Sequence, residues 1–350
     1  MAEAIRIFPG NLTEWNDLLF NSINCSYRVS IEYAYTKRYR HKSIETFLFR
    51  DNERVVAGAH YSVRRSYGKL ISVADVQSGF IFRDEPDEAL LGFLAGHFEE
   101  WAGSVNASYI RIYPLLPATV GGSRIFTSDM FDSLLREKGY TEIEPGQHTY
   151  WLDLTKTEED LLKQMKRQTR YEIVHARDSQ LSISRYDEPS EETFEAFWKL
   201  YHSLGRAKGF GTLDKIQFRE EIFSLLRAGF ANLFMVLCQD KTINVSLASN
   251  LGRASYMYGA MDPGFKLIPG CPSPGQFAQW EMIRYMKHRN VPIYDMGFCP
   301  GPVPYKDHPQ YSIWRFKYGF GGSHVQFMPA YGKPLLPLRG RIFRIIKYRS

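Results

Sequence analysis

Residues 232–260 read NLFMVLCQDKTINVSLASNLGRASYMYGA: an apolar strand at Asn232–Cys238, a turn at Gln239-Asp240-Lys241, a second strand at Ile243–Ser249 and a third at Ser255–Ala260. Short apolar runs separated by polar turn residues pair with their sequence neighbours as a meander. The first half of the chain carries the same plan. Glu45–Arg50 is a strand, Asp51-Asn52-Glu53 an acidic turn, and Val55–Val63 and Leu70–Val76 are two further strands. Each meander leads into an amphipathic helix and one more apolar strand: Glu88–Ala102 then Tyr109–Tyr113, and Gln276–His288 then Ile293–Met296. Meander, helix and strand form an α+β unit, and its recurrence predicts a duplicated domain.

The segment between the repeats places the boundary. Trp151–Leu154 alternates like a strand. Thr157-Glu158-Glu159-Asp160 then supplies a capping residue and acids ahead of a helix expected over Leu161–Arg177. Helical patterns follow at Glu191–Lys208 and Lys215–Ala228, separated by Gly209-Phe210-Gly211. This divides the chain near residue 152, and the absence of a Pro/Ser-rich linker predicts two packed halves with a cleft between them, a preferred ligand position.

Composition excludes several classes. With 350 residues, 44% hydrophobic and 23% charged, the chain is neither disordered nor collagen-like. The net charge is 44 − 38 = +6, and the last twenty residues hold six cations (Lys333, Arg339, Arg341, Arg344, Lys347, Arg349) and no acid, so the rest is neutral. Such a basic run marks either a polyanion contact or a solvated end. The four cysteines have no CxxC spacing and Met1–Gly10 lacks a signal-peptide pattern, so a cytoplasmic protein with reduced thiols is expected. No apolar run approaches the ~20 residues of a membrane span. The nine histidines form no HExxH and no close His/Cys cluster, and neither a GxSxG elbow nor a Walker loop occurs. Neither a metal nor a cofactor is expected.

An α+β chain with two such units resembles tandem acyltransferase domains of the GNAT superfamily, and more closely the FemABX family, aminoacyl-tRNA-dependent transferases that add amino acids to peptidoglycan precursors. The resemblance rests on Trp151-Leu152-Asp153-Leu154, Thr157–Leu162, Arg170-Tyr171-Glu172-Ile173 with Ala176, Trp280-Glu281-Met282-Ile283, Tyr294-Asp295-Met296-Gly297 and the run Trp314–Gly322. No sustained heptad occurs between Thr157 and Ala228, so the chain is similar to the members without a coiled-coil arm. The resemblance implies a first domain over 1–151 completed by 325–350, with Phe343, Ile345 and Ile346 as its packing positions, and a second domain over 152–324.

It also implies a chemistry. Aminoacyl-tRNA is an activated ester, so transfer needs orientation, a neutral amine and a positive group at the oxyanion. Lys317, in what reads as a phenylalanine-rich loop with Asp307 the nearby acid in sequence, matches the family lysine at this centre, with Phe316 beside it. Lys37, in Tyr33-Ala34-Tyr35-Thr36-Lys37, and Arg206, in Leu204–Phe210, match the pair that holds the acceptor's pyrophosphate. Tyr256 and Tyr258, two apart on a strand, are expected to face the same side and either line the cleft or pack in the core. Tyr113 stands where a carboxylate often ends the first-domain strand, which leaves the general base unassigned and admits a small antibiotic intermediate as acceptor.

Lys163, Lys166, Arg167 and Arg170 form a basic face on the expected helix Leu161–Arg177, suited to tRNA phosphates or to solvent. The partners implied are aminoacyl-tRNA as donor and an amine-bearing acceptor, nucleotide-linked or otherwise anionic, acting on a monomer. Two other classes compete. An acyl-coenzyme A dependent N-acyltransferase needs a glycine-rich strand-to-helix turn, and the loops in that place, Arg83–Asp87 and Pro269–Gly275, lack it. Arg206–Gly211 matches the glycine string but follows a helical pattern. A non-catalytic RNA- or membrane-binding protein would rest on the basic run alone.

Overall fold

The computed structural model describes residues 2–7, 12–37, 43–66, 71–177, 179–209, 211, 214–301 and 304–348. Met1, Gly10, Leu70, Phe210, Arg349, Ser350 and the side chain of Ile346 lie outside the described residues. The chain divides into two compact units, Met1–Gln147 with Val325–Ser350, and His148–His324.

In the first unit, β1 (Ala2–Ile7) is followed by helices α1 (Thr13–Phe20) and α2 (Ile31–Thr36), then by the antiparallel strands β2 (Ser43–Asp51), β3 (Arg54–Ser66) and β4 (Ile71–Phe82). Helix α3 (Glu88–Ser104) is capped by Asp87, whose carboxylate accepts the Leu90 N–H at 2.8 Å. Its Leu91, Leu94, Ala95, Phe98 and Trp101 recur at helical spacing and fill the core. Strand β5 (Tyr109–Ile112) then pairs parallel to β4. Strands β6 (Pro117–Val120) and β7 (Ser123–Arg124), helix α4 (Phe126–Glu137) and β8 (Thr141–Glu144) follow.

The second unit repeats the plan. After β9 (His148–Asp153) come α5 (Glu158–Gln164), α6 (Arg167–Arg177), β10 (Leu181–Tyr186), α7 (Glu191–Lys208) and α8 (Lys215–Arg227). The meander is β11 (Ala231–Cys238), β12 (Lys241–Ser249) and β13 (Ala254–Met261). Helix α9 (Pro274–His288) buries Phe277, Trp280, Ile283 and Met286, and β14 (Ile293–Asp295) pairs parallel to β13 and antiparallel to β9. Helix α10 (Tyr311–Gly319) follows. The chain then forms β15 (Ser323–Phe327), whose Val325 pairs with Val120 of β6, β16 (Ala330–Pro334), inserted between β5 and β8 in the first sheet, and α11 (Pro337–Tyr348). Among the described residues, no helix is long and apolar enough to cross a membrane, and no group of three potential metal ligands occurs.

Two sequence expectations are corrected. The helix expected over Leu161–Arg177 is two helices, because Met165 is extended (ψ 149°) and the Lys166 N–H donates to Gly319 O at 2.9 Å instead of continuing the turn. The expectation that Tyr256 and Tyr258 share a face fails for a different reason. The β12/β13 register shifts at Leu247/Ala248: Tyr256 pairs with Ala248 and Tyr258 with Leu247, leaving Met257 as an extra residue. A bulge of this kind puts the two tyrosines on opposite faces.

Candidate active site

The second unit contains a cavity of about 1230 Å³ lined by α7, β13, the loop before α9 and α10. Lys317, Phe316, Tyr256 and Tyr258 all line it. The first correction here is that Lys317 sits not in a loop but near the end of α10, one turn after the buried Trp314. Trp314 fixes the helix by donating its indole N–H to Tyr150 Oη at 3.2 Å and stacking on Tyr318 at 4.8 Å. That aims Lys317 inward, where it is only 6% exposed.

The Lys317 ammonium donates to the Phe298 carbonyl at 2.6 Å and lies 5.7 Å from the Tyr256 ring centre. Burial pushes its pKa down to about 8, and attraction to Asp295 and Cys299 opposes the shift. Burial in turn pushes the Cys299 thiol up to about 11, against the pull of Lys317. A buried amine that still carries its proton near neutrality, on the wall of a cavity, is a marker of function.

The carboxylate that matters is Asp295 rather than Asp307. Asp295 Oδ1 accepts from Thr149 Oγ1 at 2.5 Å and from the Gly297 N–H at 2.8 Å, and Oδ2 accepts from Trp151 Nε1 at 3.1 Å. Arg253 pairs with it at 3.4 Å and lies 4.6 Å over the Trp151 ring. The turn closed by Asp295 requires glycine at 297, where φ is +73° and a Cβ would meet Tyr256 O at 2.6 Å. This turn presents the Phe298 carbonyl to Lys317. None of Thr149, Trp151, Arg253 or Phe298 was marked as functional by sequence, although Trp151 and Asp295 each stand in a run that carries the resemblance.

The two tyrosines serve different walls. Tyr258 donates to Glu221 Oε1 at 2.6 Å and packs edge-on against Tyr201 and Phe218. Tyr256 is pushed up to about 12 by burial, opposed by hydrogen bonds to Ser246 and Gln279. Three exposed lysines, Lys199, Lys208 and Lys266, stand on the rim.

The remaining sequence candidates belong to both units. Arg206 is exposed in the last turn of α7, which ends at Gly209 (φ 69°), so Arg206–Gly209 is a helix C-terminus and follows no strand, and Phe210 of the glycine string lies outside the described residues. Lys37 belongs to the first unit, at the end of α2, with its ammonium 4.2 Å from the Tyr33 ring centre. Tyr113 also belongs there, following β5, with its hydroxyl 3.4 Å from Glu144 Oε1. The four basic residues expected on one helix face are split by the α5/α6 break. Lys163 pairs with Glu159 at 2.7 Å, Arg167 opens α6, and Arg170 Nη1 reaches Lys163 O at 3.4 Å. Lys166 lies 4.5 Å over Tyr318 and lines a hollow of about 380 Å³ with Lys156, Trp151 and Gln164.

Residues 163–307 match the model described as an Acetyltransferase (GNAT) domain, and the fold is that of two tandem GNAT-like domains. No curated protein matches the sequence. Among solved structures, FemX is similar over 99% of this chain and 100% of its own, with a TM-score of 0.83 and 17% identity. A tandem GNAT protein from the clavulanic acid biosynthesis pathway is similar over 95% and 98%, with 0.53 and 12%. L-PGS from Bacillus licheniformis is similar over 85% and 87%, with 0.51 and 12%. The fold is FemX-like.

Proposed function

We propose that the protein is an aminoacyltransferase that moves an amino acid from aminoacyl-tRNA to the amine of a peptidoglycan precursor or a related small metabolite. The observation that carries this reading is the buried Lys317 ammonium, fixed by Phe298 on the wall of the second unit's cavity. An ammonium has three N–H donors, and the Phe298 carbonyl takes one, leaving two for the cavity. In the proposed reaction the acceptor amine attacks the ester carbonyl, a C–N bond forms and the ester C–O bond breaks. The amine's proton ends on the hydroxyl of the departing tRNA. Negative charge gathers on the carbonyl oxygen in between, and Lys317 stabilises it there. Tyr256, Tyr258 and Phe316 shape the walls, and the rim lysines favour a substrate with phosphates.

Lys37 and Arg206 are proposed to contact an anionic acceptor, and Tyr113 to serve the acceptor side. Lys166, Arg167 and Arg170 are proposed contacts for tRNA, together with Lys163 once it exchanges Glu159 for a phosphate. The test is incubation of the purified protein with labelled aminoacyl-tRNA, an acyl-coenzyme A panel and candidate amines. Amide formation from aminoacyl-tRNA supports the reading, and formation from acyl-coenzyme A alone replaces it with the N-acyltransferase reading.

A further inference from the structure

Helix α11 has an inner face that is firmly held. Gly340 packs so closely that a Cβ would meet Pro334 at 2.6 Å, and Phe343 packs with Ile71, Val73 and Tyr109. The Tyr348 hydroxyl accepts from Arg111 Nη1 at 3.1 Å, and the same guanidinium grips Asp75 at 2.6 and 2.9 Å. With that face fixed, the opposite face points away from the unit. It carries Leu338, Ile342 and Ile345, which are 75%, 43% and 46% exposed, so Ile345, expected from the sequence to pack with Phe343, instead faces outward. Their i, i+4, i+7 spacing lines them up in one stripe. Arg339, Arg341, Arg344 and Lys347 on the same helix are also exposed, and no acid occurs from Tyr331 onward. Four cations and no acid thus stand on an element that also exposes an aliphatic stripe.

We propose that α11 docks the protein on an anionic lipid bilayer, with the stripe seated at the acyl boundary and the guanidinium groups on lipid phosphates. Charge complementarity selects an anionic surface, and the aliphatic stripe selects lipid over RNA: RNA satisfies the arginines but leaves Leu338, Ile342 and Ile345 in water. The inference stands independently of the transfer reaction.

The test is co-sedimentation of the full chain with vesicles of phosphatidylcholine alone or of an equimolar mixture with phosphatidylglycerol. The wild type is expected to bind the mixed vesicles and not the neutral ones, and to be released by salt. Leu338→Ser with Ile342→Ser, and separately Arg339→Gln with Arg341→Gln, whose guanidinium groups flank the stripe, each weaken binding at least about tenfold. If the serine variant loses its cooperative thermal transition, Ile345→Ser carries the same test. Absence of binding to the mixed vesicles overturns the proposal. So does unchanged binding by the serine variant with loss in the glutamine variant, which would mark a general polyanion site such as one for RNA.

Discussion

Lys317 is buried, where burial disfavours its charged form, and it lines the cavity, so its removal has a defined signature. An interaction made mainly with the developing oxyanion lowers the barrier without tightening ground-state binding. Lys317→Met is therefore expected to slow transfer roughly 10²–10³-fold, with acceptor affinity nearly intact. Arginine rescues poorly, because its planar fork is larger and is aimed differently. The pKa of about 8 gives the pH dependence: transfer falls as pH rises through it and the ammonium loses its proton. A rate that rises through this limb in proportion to free Lys317 amine would make the residue a base instead. Stability moves the opposite way. The folded pKa lies below the ordinary 10.5, so between about 8 and 10.5 the unfolded chain binds more protons and stability increases with pH. Denaturation midpoints of wild type and Lys317→Met across that window are expected to show this increment in the wild type alone. Asp295→Asn removes the attraction that holds the Lys317 pKa up, so the alkaline limb of the rate profile should shift below its wild-type position. An unshifted limb would mean that the two charges do not communicate. Lys317 was legible in sequence through Phe316-Lys317 and its flanking run. Asp295 stood in a recognised string without a role, because Thr149, Trp151 and Arg253 reach it from distant parts of the sequence and only folding assembles them.

At the level of elements, the meanders, the helices after them and the strands β5 and β14 were readable because each depends on local periodicity and turn residues, whereas the parallel pairing of β5 and β14 is seen only in the fold. What escaped was set by partners across space. The bulge at Met257 exists because β13 changes register against β12, and it decides which wall each tyrosine lines. The break between α5 and α6 exists because Gly319 and Gly321 come up against it, whereas the capping residue and acids at 157–160 mark only where a helix starts and carry no sign of the break. Gly321 has φ +78°, and a Cβ there would meet Gln164 O at 2.7 Å. Gly321→Ala is expected to destabilise the protein by about 1–3 kcal/mol through backbone strain and this clash, read as a lower denaturation midpoint. A midpoint equal to the wild type would show that the break tolerates rearrangement. The same break predicts that Arg167→Gln and Arg170→Gln together weaken tRNA binding and flatten its salt dependence, while Lys163→Gln, removing a cation already paired with Glu159, does so less. Filter binding over a salt series checks this, and equal losses would restore the single basic face.

For the whole molecule, two tandem GNAT-like domains account for the repeated plan, and the FemX-like fold accounts for the extent of the likeness along the chain. Composition bounded the class, and strand order within each repeat bounded the fold. The donor is a matter of chemistry at the cavity, where acyl-coenzyme A would need backbone amides displayed at a glycine-rich turn. Residues 269–275, at the start of α9, carry no such pattern, and Gly275 lies in contact range of Phe316. The most direct measurement is single-turnover transfer from pre-charged aminoacyl-tRNA to an amine acceptor by wild type and Lys317→Met in parallel, with acyl-coenzyme A as the control donor. The account predicts transfer from aminoacyl-tRNA, none from acyl-coenzyme A, and a rate lower by roughly 10²–10³ in the variant. Transfer by Lys317→Met at the wild-type rate, or transfer from acyl-coenzyme A alone, would contradict it.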